Sequence, residues 1–199
     1  MRLMSLWLLA TFCVAEAETP ANWSANRPPC DRHSELLKQG HMDLGVRVAT
    51  ENPVLAEQFR RAMDSWAKIL DLNWHEDDTQ SCSIQLFDGE RELFQPAYVA
   101  ARSQLPDRHD FQGWIAFNPA QRLSETDYYR ISVHEIGHML GLQHSASAMS
   151  VMYFLDLEGS ECLDPTDLAA LAKHHKLRIT TLDKPVAIGV TRPSETSRK

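Results

Sequence analysis

The 199-residue sequence has no internal repeat, no excess of basic residues and, after residue 14, no apolar run long enough to cross a membrane. Without a repeat, neither collagen nor a coiled coil is possible. Twenty Lys and Arg against 27 Asp and Glu give a net charge of −7, the wrong sign for a nucleic-acid partner. Low hydrophobicity is missing too, which excludes disorder throughout. With 43% hydrophobic and 24% charged residues, the chain has the composition and length of one domain with a real core.

The one conspicuous apolar run is at the start. Arg2 precedes Leu3 to Val14, and Ala15-Glu16-Ala17 follows. A positive start, about 12 apolar-rich residues and a small-x-small site read as a secretory signal over 1–17, too short to span a bilayer. Phe12 is too bulky for a lipid-attachment box at Cys13. The expected product is therefore exported, extracellular or periplasmic, and has no stable membrane anchor. Cleavage removes Cys13 and leaves Cys30, Cys82 and Cys162. In an oxidising compartment these suggest one disulfide and one odd thiol, and all three pairings stay open.

Residues 18–42 are polar, turn-rich and aperiodic, a leader or short pro-segment. Residues 176–199 carry six basic and two acidic groups, leaving −11 on residues 18–175, so this end reads as a basic solvated tail. Between them, Leu44, Val46 and Val48 alternate as in a strand over 43–50. Asn52 and Pro53 then open a helix with Leu55, Phe59, Ala62, Met63, Trp66, Ile69 and Leu70 on its apolar face. Further strands are expected at Leu72–His75, Cys82–Phe87, Tyr98–Ser103 and Trp114–Phe117. Ser124 and Asp127 form a capping-box pattern for a helix reaching about Leu140. A last helix starts at Asp164-Pro165 and buries Leu168 and Leu171. Strands first and helices later around one core predict an α+β domain over 43–175.

The chemistry is concentrated in His134-Glu135-Ile136-Gly137-His138-Met139-Leu140-Gly141-Leu142-Gln143-His144. On a helix, His134 and His138 stack on one face and can grip one metal ion. Glu135, one step round, can reach a metal-bound water without being a ligand. Gly141 can take the positive φ that ends the helix and turns the chain, bringing His144 back as a third nitrogen. Three imidazoles leave one position open, as in catalytic rather than closed structural zinc sites. His-Glu-x-x-His alone is a weak signal. With Gly141 and His144 added, a chance match falls to the order of one in 10⁵.

These residues resemble the metzincin signature, and their surroundings are similar to the matrixin family of zinc endopeptidases, the family of the matrix metalloproteinase catalytic domains. Ser145 follows the third histidine as in matrixins. Met152, within Val151-Met152-Tyr153, stands at the spacing of the Met-turn, a better match than Met149. The resemblance covers about 43–175, most strongly 128–153. It implies a mixed twisted sheet of about five strands packed with three helices, and a zinc ion held by His134, His138 and His144. It also implies Glu135 as general base, Met152 as an apolar floor, Tyr153 beside it, and a peptide or protein substrate bound along the edge strand near Tyr98–Ser103. The loop after Met152 would wall the specificity pocket. An exported peptidase acting as a monomer is the leading reading, and a catalytically silent zinc-binding module is the alternative.

The sequence also departs from that family. Where matrixins carry the histidines and acids of a second, structural zinc, it has Asp88-Gly89-Glu90, Arg102 and Ala116. Asn118-Pro119-Ala120-Gln121 replaces the acidic calcium-binding run. One catalytic zinc is therefore expected and no structural one. Residues 18–42 are too few for the usual pro-domain. Cys30, in Arg27-Pro28-Pro29-Cys30-Asp31, faintly resembles the inhibitory cysteine motif but lacks its glycine and second proline. A cysteine switch, a disulfide to Cys82 or Cys162, and a block by Asp31 all stay open. His174-His175 reads as a cationic helix end. His33, His41, His75 and His109 have no ligand spacing.

Overall fold

The computed structural model describes residues 41–78, 84–104, 113–154 and 162–188. The expected signal, nearly all of the expected leader, Cys30, Asp31, Cys82, His109 and residues 155–159 of the loop expected to wall a pocket lie outside them.

Strand β1 (Met42–Ala49) joins a five-stranded sheet with β2 (Leu72–Glu76), β3 (Ile84–Asp88), β4 (Ala101–Ser103) and β5 (Gly113–Phe117), in the order β2-β1-β3-β5-β4. The first four in that order are parallel, and β4 is antiparallel to β5. Helices α1 (Pro53–Ile69) and α2 (Glu125–Met139) pack against each other, and α3 (Pro165–Ala172) follows. Two short strands, β6 (Cys162–Leu163) and β7 (Val186–Ala187), form a separate antiparallel pair. This is the α+β arrangement expected of a metzincin-like domain.

Local chemistry explains the helices. The Asn52 side chain accepts hydrogen bonds from the Val54 and Leu55 N–H groups (3.0 and 3.2 Å), and Pro53 occupies a position whose missing N–H has no helical partner. Ser124 and Asp127 close a reciprocal capping box at α2, and Asp164 and Asp167 close another at α3. The apolar stripe of α1 is buried from Leu55 to Ile69. Its largest member, Trp66, is fully buried and donates its indole N–H to the Val133 carbonyl at 3.1 Å, tying α1 to the middle of α2.

Two expectations shift. The edge strand is shorter than Tyr98–Ser103: the chain turns at 96–99, where the Val99 N–H bonds the Pro96 carbonyl (3.0 Å), and the Asn118 amide holds the carbonyls of Ala97 and Val99. Tyr98 is left 79% exposed. Residues 176–188, expected as solvated tail, are packed on the domain. The Asp71 N–H bonds the Lys176 carbonyl (2.7 Å), the Arg178 N–H bonds the Ile69 carbonyl (2.8 Å), and Ile188 is buried with its carbonyl on the Tyr129 hydroxyl (2.6 Å). The basic composition at this end is used locally: Lys176 and Arg178 both face Asp71. Hydrogen bonds from Lys176 and His41 hold the Asp71 carboxyl down to about 2. Main-chain pairing of this kind leaves no trace in charge composition.

The positions at which the family's second metal would be held are engaged otherwise. The Asp88 carboxylate accepts from the Thr50 hydroxyl (2.8 Å) and the Glu51 N–H (3.0 Å). Ala116 is buried in a small apolar cluster with Phe87, Leu93 and Phe94. Arg102 is exposed and donates from Nη2 to the Gln95 carbonyl at 2.7 Å.

Candidate metal centre and its cleft

Helix α2 carries His134, Glu135 and His138, and the chain leaves it at Leu140. Gly141, at φ +93°, makes the turn, with the Leu142 N–H returning to the Gly137 carbonyl at 3.0 Å. That reversal brings His144 beside the helix. One ring nitrogen of each of the three histidines lies within 4.8 Å of the others.

Tautomers follow from the neighbours. His134 Nδ1 is 2.7 Å from the Val151 carbonyl, and His138 Nδ1 is 2.8 Å from the Leu142 carbonyl. A carbonyl can only accept, so both Nδ1 atoms carry the proton and both Nε2 lone pairs are bare. Those two Nε2 atoms face each other at 3.0 Å. Their lone pairs converge on one point, as those of two ligands of a single cation do. Burial pushes both imidazoles down from the ordinary histidine value, which keeps them neutral as metal ligation requires. Donor type, tautomer and convergence all fit a zinc ion.

This lowering fixes a pH dependence. A base whose folded value lies below its unfolded value of about 6.5 leaves the unfolded chain holding more protons as pH falls, so stability present above that pH is lost below it. For zinc-free protein, thermal melts at pH 7 and pH 5 should show a steeper loss of Tm in wild type than in His134→Asn. Equal slopes would contradict it.

Glu135 is 8% exposed beside the histidines. Burial pushes its carboxyl up, against a hydrogen bond from the Ser103 side chain and the nearby His138, His144 and Arg102. Nothing in the sequence singles out Ser103. It stands 32 positions away on β4, and no local spacing links it to Glu135.

Beneath the centre, Met152 is fully buried against α2, and a Cβ on Gly137 would lie 2.5 Å from its sulfur. Glycine at 137 is what allows this approach. Tyr153 is half-buried on the cleft wall with its ring against Phe154 (centroids 4.6 Å apart). Met149, the weaker Met-turn match, is 63% exposed. A polar brace holds the turn: the Met152 N–H bonds Ser150 Oγ (2.9 Å), and that hydroxyl donates to Asp167 (2.6 Å). The Ser145 N–H bonds the Met152 carbonyl (2.8 Å), and its hydroxyl donates to Asp164 (3.0 Å). Asp164 and Asp167 are legible as the cap of α3, but their second task, fixing the residue after His144 and the turn itself, is tertiary. His174 and His175 follow the end of α3, both main-chain N–H groups bonding the Leu171 carbonyl (3.0 and 2.8 Å), and the His175 Nε2–H also donates to the Leu140 carbonyl at 2.8 Å, at the end of α2. Cys162 is half-exposed with a free thiol.

The histidines open into a cleft of about 590 Å³, bounded by Tyr98 to Ser103 on the β4 side and by Tyr153 and Phe154 on the other. Residues 46–174 match the matrixin family. The chain belongs to the matrixin family. Matrixins are zinc-dependent endopeptidases, and the His triad of this one can hold the metal. It is 28% identical over 110 residues to metalloendoproteinase 1-MMP of Arabidopsis thaliana, covering 48% of this chain and 30% of that protein. To matrix metalloproteinase-17 of Homo sapiens it is 30% identical over 110 residues, covering 46% and 17%. A putative matrix metalloproteinase of Spodoptera frugiperda ascovirus 1a is 39% identical over 74 residues, covering 34% and 19%. The matched stretch is thus less than a third of each relative's length. Among the described residues, no helix is long and apolar enough to cross a membrane.

Proposed function

We propose that this matrixin is an exported, monomeric zinc endopeptidase with one catalytic zinc ion held by His134, His138 and His144, and Glu135 as general base. The observation that carries the reading is the set of converging ring nitrogens beside a buried carboxylate that is not among the ligands. A zinc ion there supplies Lewis-acid polarisation and a water acidified towards neutral pH. Glu135 accepts a proton as the peptide carbonyl is attacked and returns it to the leaving amine. The Ser103 side chain hydrogen-bonds its carboxyl and orients it. The Val151 and Leu142 carbonyls hold the imidazoles in the ligating tautomer, an outer-shell role. Ala101 to Ser103 form a sheet edge beside the cleft, which suits an extended peptide added antiparallel as a further strand.

Cleavage of a quenched-peptide library tests this. Zinc-loaded protein should cleave, chelation should stop it, and restored zinc should return it. A folded, zinc-loaded protein that cleaves nothing, even after trimming to Asp43, would instead support the silent binding module.

A further inference from the structure

Edge strand β4 has spent one side of its backbone. The Gln104 N–H bonds the Trp114 carbonyl (3.0 Å) and the Asn118 N–H bonds the Ala100 carbonyl (2.8 Å), so residues 100, 102 and 104 direct their main-chain groups at β5. By the period of two, Ala101 and Ser103 direct theirs outward. An antiparallel peptide bonding Ala101 and Ser103 places one residue directly opposite Arg102. That position is the non-hydrogen-bonded kind, in which the two side chains share a face with Cβ atoms about 4.5–5.5 Å apart.

Arg102 is equipped for such a neighbour. It lines the cleft and is exposed, and its bond from Nη2 to the Gln95 carbonyl draws on one of five N–H donors. Among the described residues no carboxylate lies within ion-pair distance of it. The other cleft arginine, Arg130, is already paired with Asp127 at 3.2 Å.

We infer that Arg102 is a specificity-determining residue, selecting an acidic side chain at the substrate position paired opposite it. The inference rests on the reading that the cleft takes an extended peptide. Cross-strand opposite charges contribute about 0.2–1 kcal/mol, which converts to roughly a 1.4- to 5-fold preference.

The test uses zinc-loaded Glu135→Ala protein and fluorescence anisotropy, so that binding is read without cleavage. The probe is a labelled neutral decapeptide with one fixed leucine as an apolar anchor, and glutamate or lysine is walked through the other positions. At one position glutamate should bind about two- to fivefold tighter than lysine. Arg102→Glu should invert that ratio there and nowhere else, Arg102→Lys should keep its sign, and about 1 M salt should bring it close to one. A ratio unchanged in Arg102→Glu, no position-specific ratio, or no peptide binding would each overturn the inference. Cleavage by wild type is scored separately: charge selection without cleavage strikes the peptidase reading alone, and cleavage with a flat charge profile strikes this one alone.

Discussion

Replacing Glu135 by glutamine is expected to lower kcat/KM by about 10²–10⁴ while zinc content stays unchanged, because general acid–base catalysis by one positioned group supplies an effect of that order. Glutamine keeps the shape and an acceptor oxygen for the Ser103 side chain, so the buried site stays filled. What it cannot do is take a proton. Since Glu135 is not in the converging His134, His138 and His144 set, metal retention and catalysis separate cleanly in this variant. Metal analysis and peptide cleavage on one preparation check it. A loss below about fivefold, well short of that order, or a loss that merely follows lost zinc, would remove Glu135 from its assigned role.

Trp66→Ala should produce the largest loss of stability, about 3–5 kcal/mol, as the indole is fully buried and its removal leaves a cavity between α1 and α2. For a chain of this size that is a fall in Tm of roughly 6–20 °C. The substitution also leaves the Val133 carbonyl without its indole donor, one residue before His134, and opens the floor near Gly137, where the indole stands 3.3 Å from a would-be Cβ. Zinc affinity should therefore fall together with Tm. Thermal melts with and without zinc measure both, and a Tm within about 2 °C of wild type would contradict the packing argument.

The grouping of His134, His138 and His144 can be read directly from the residues because each step is local. Four residues separate His134 and His138 on one helix face, and Gly141 reverses the chain within reach of His144. The caps at Asn52, Ser124 and Asp164 are legible for the same reason: donor and acceptor lie within three residues of each other. The apolar stripe of α1 follows from helical spacing alone.

Interactions across long sequence separations are not legible in this way. Ser103 meets Glu135 only because β4 is the sheet edge facing α2, and Asp164 and Asp167 hold the turn at Met152 only because α3 packs beside it. The stretch after Lys176 resembles a solvated tail because composition counts charges and does not see main-chain pairing. Local spacing dictates the shared face of His134 and His138, the place of Glu135 beside it and the helix ends, since their partners sit within one or two turns. Long-range packing chooses which carbonyls meet the two Nδ1 atoms, which hydroxyl meets Glu135 and which arginine stands on the edge strand. Those depend on strand order and register, which no short window of residues encodes.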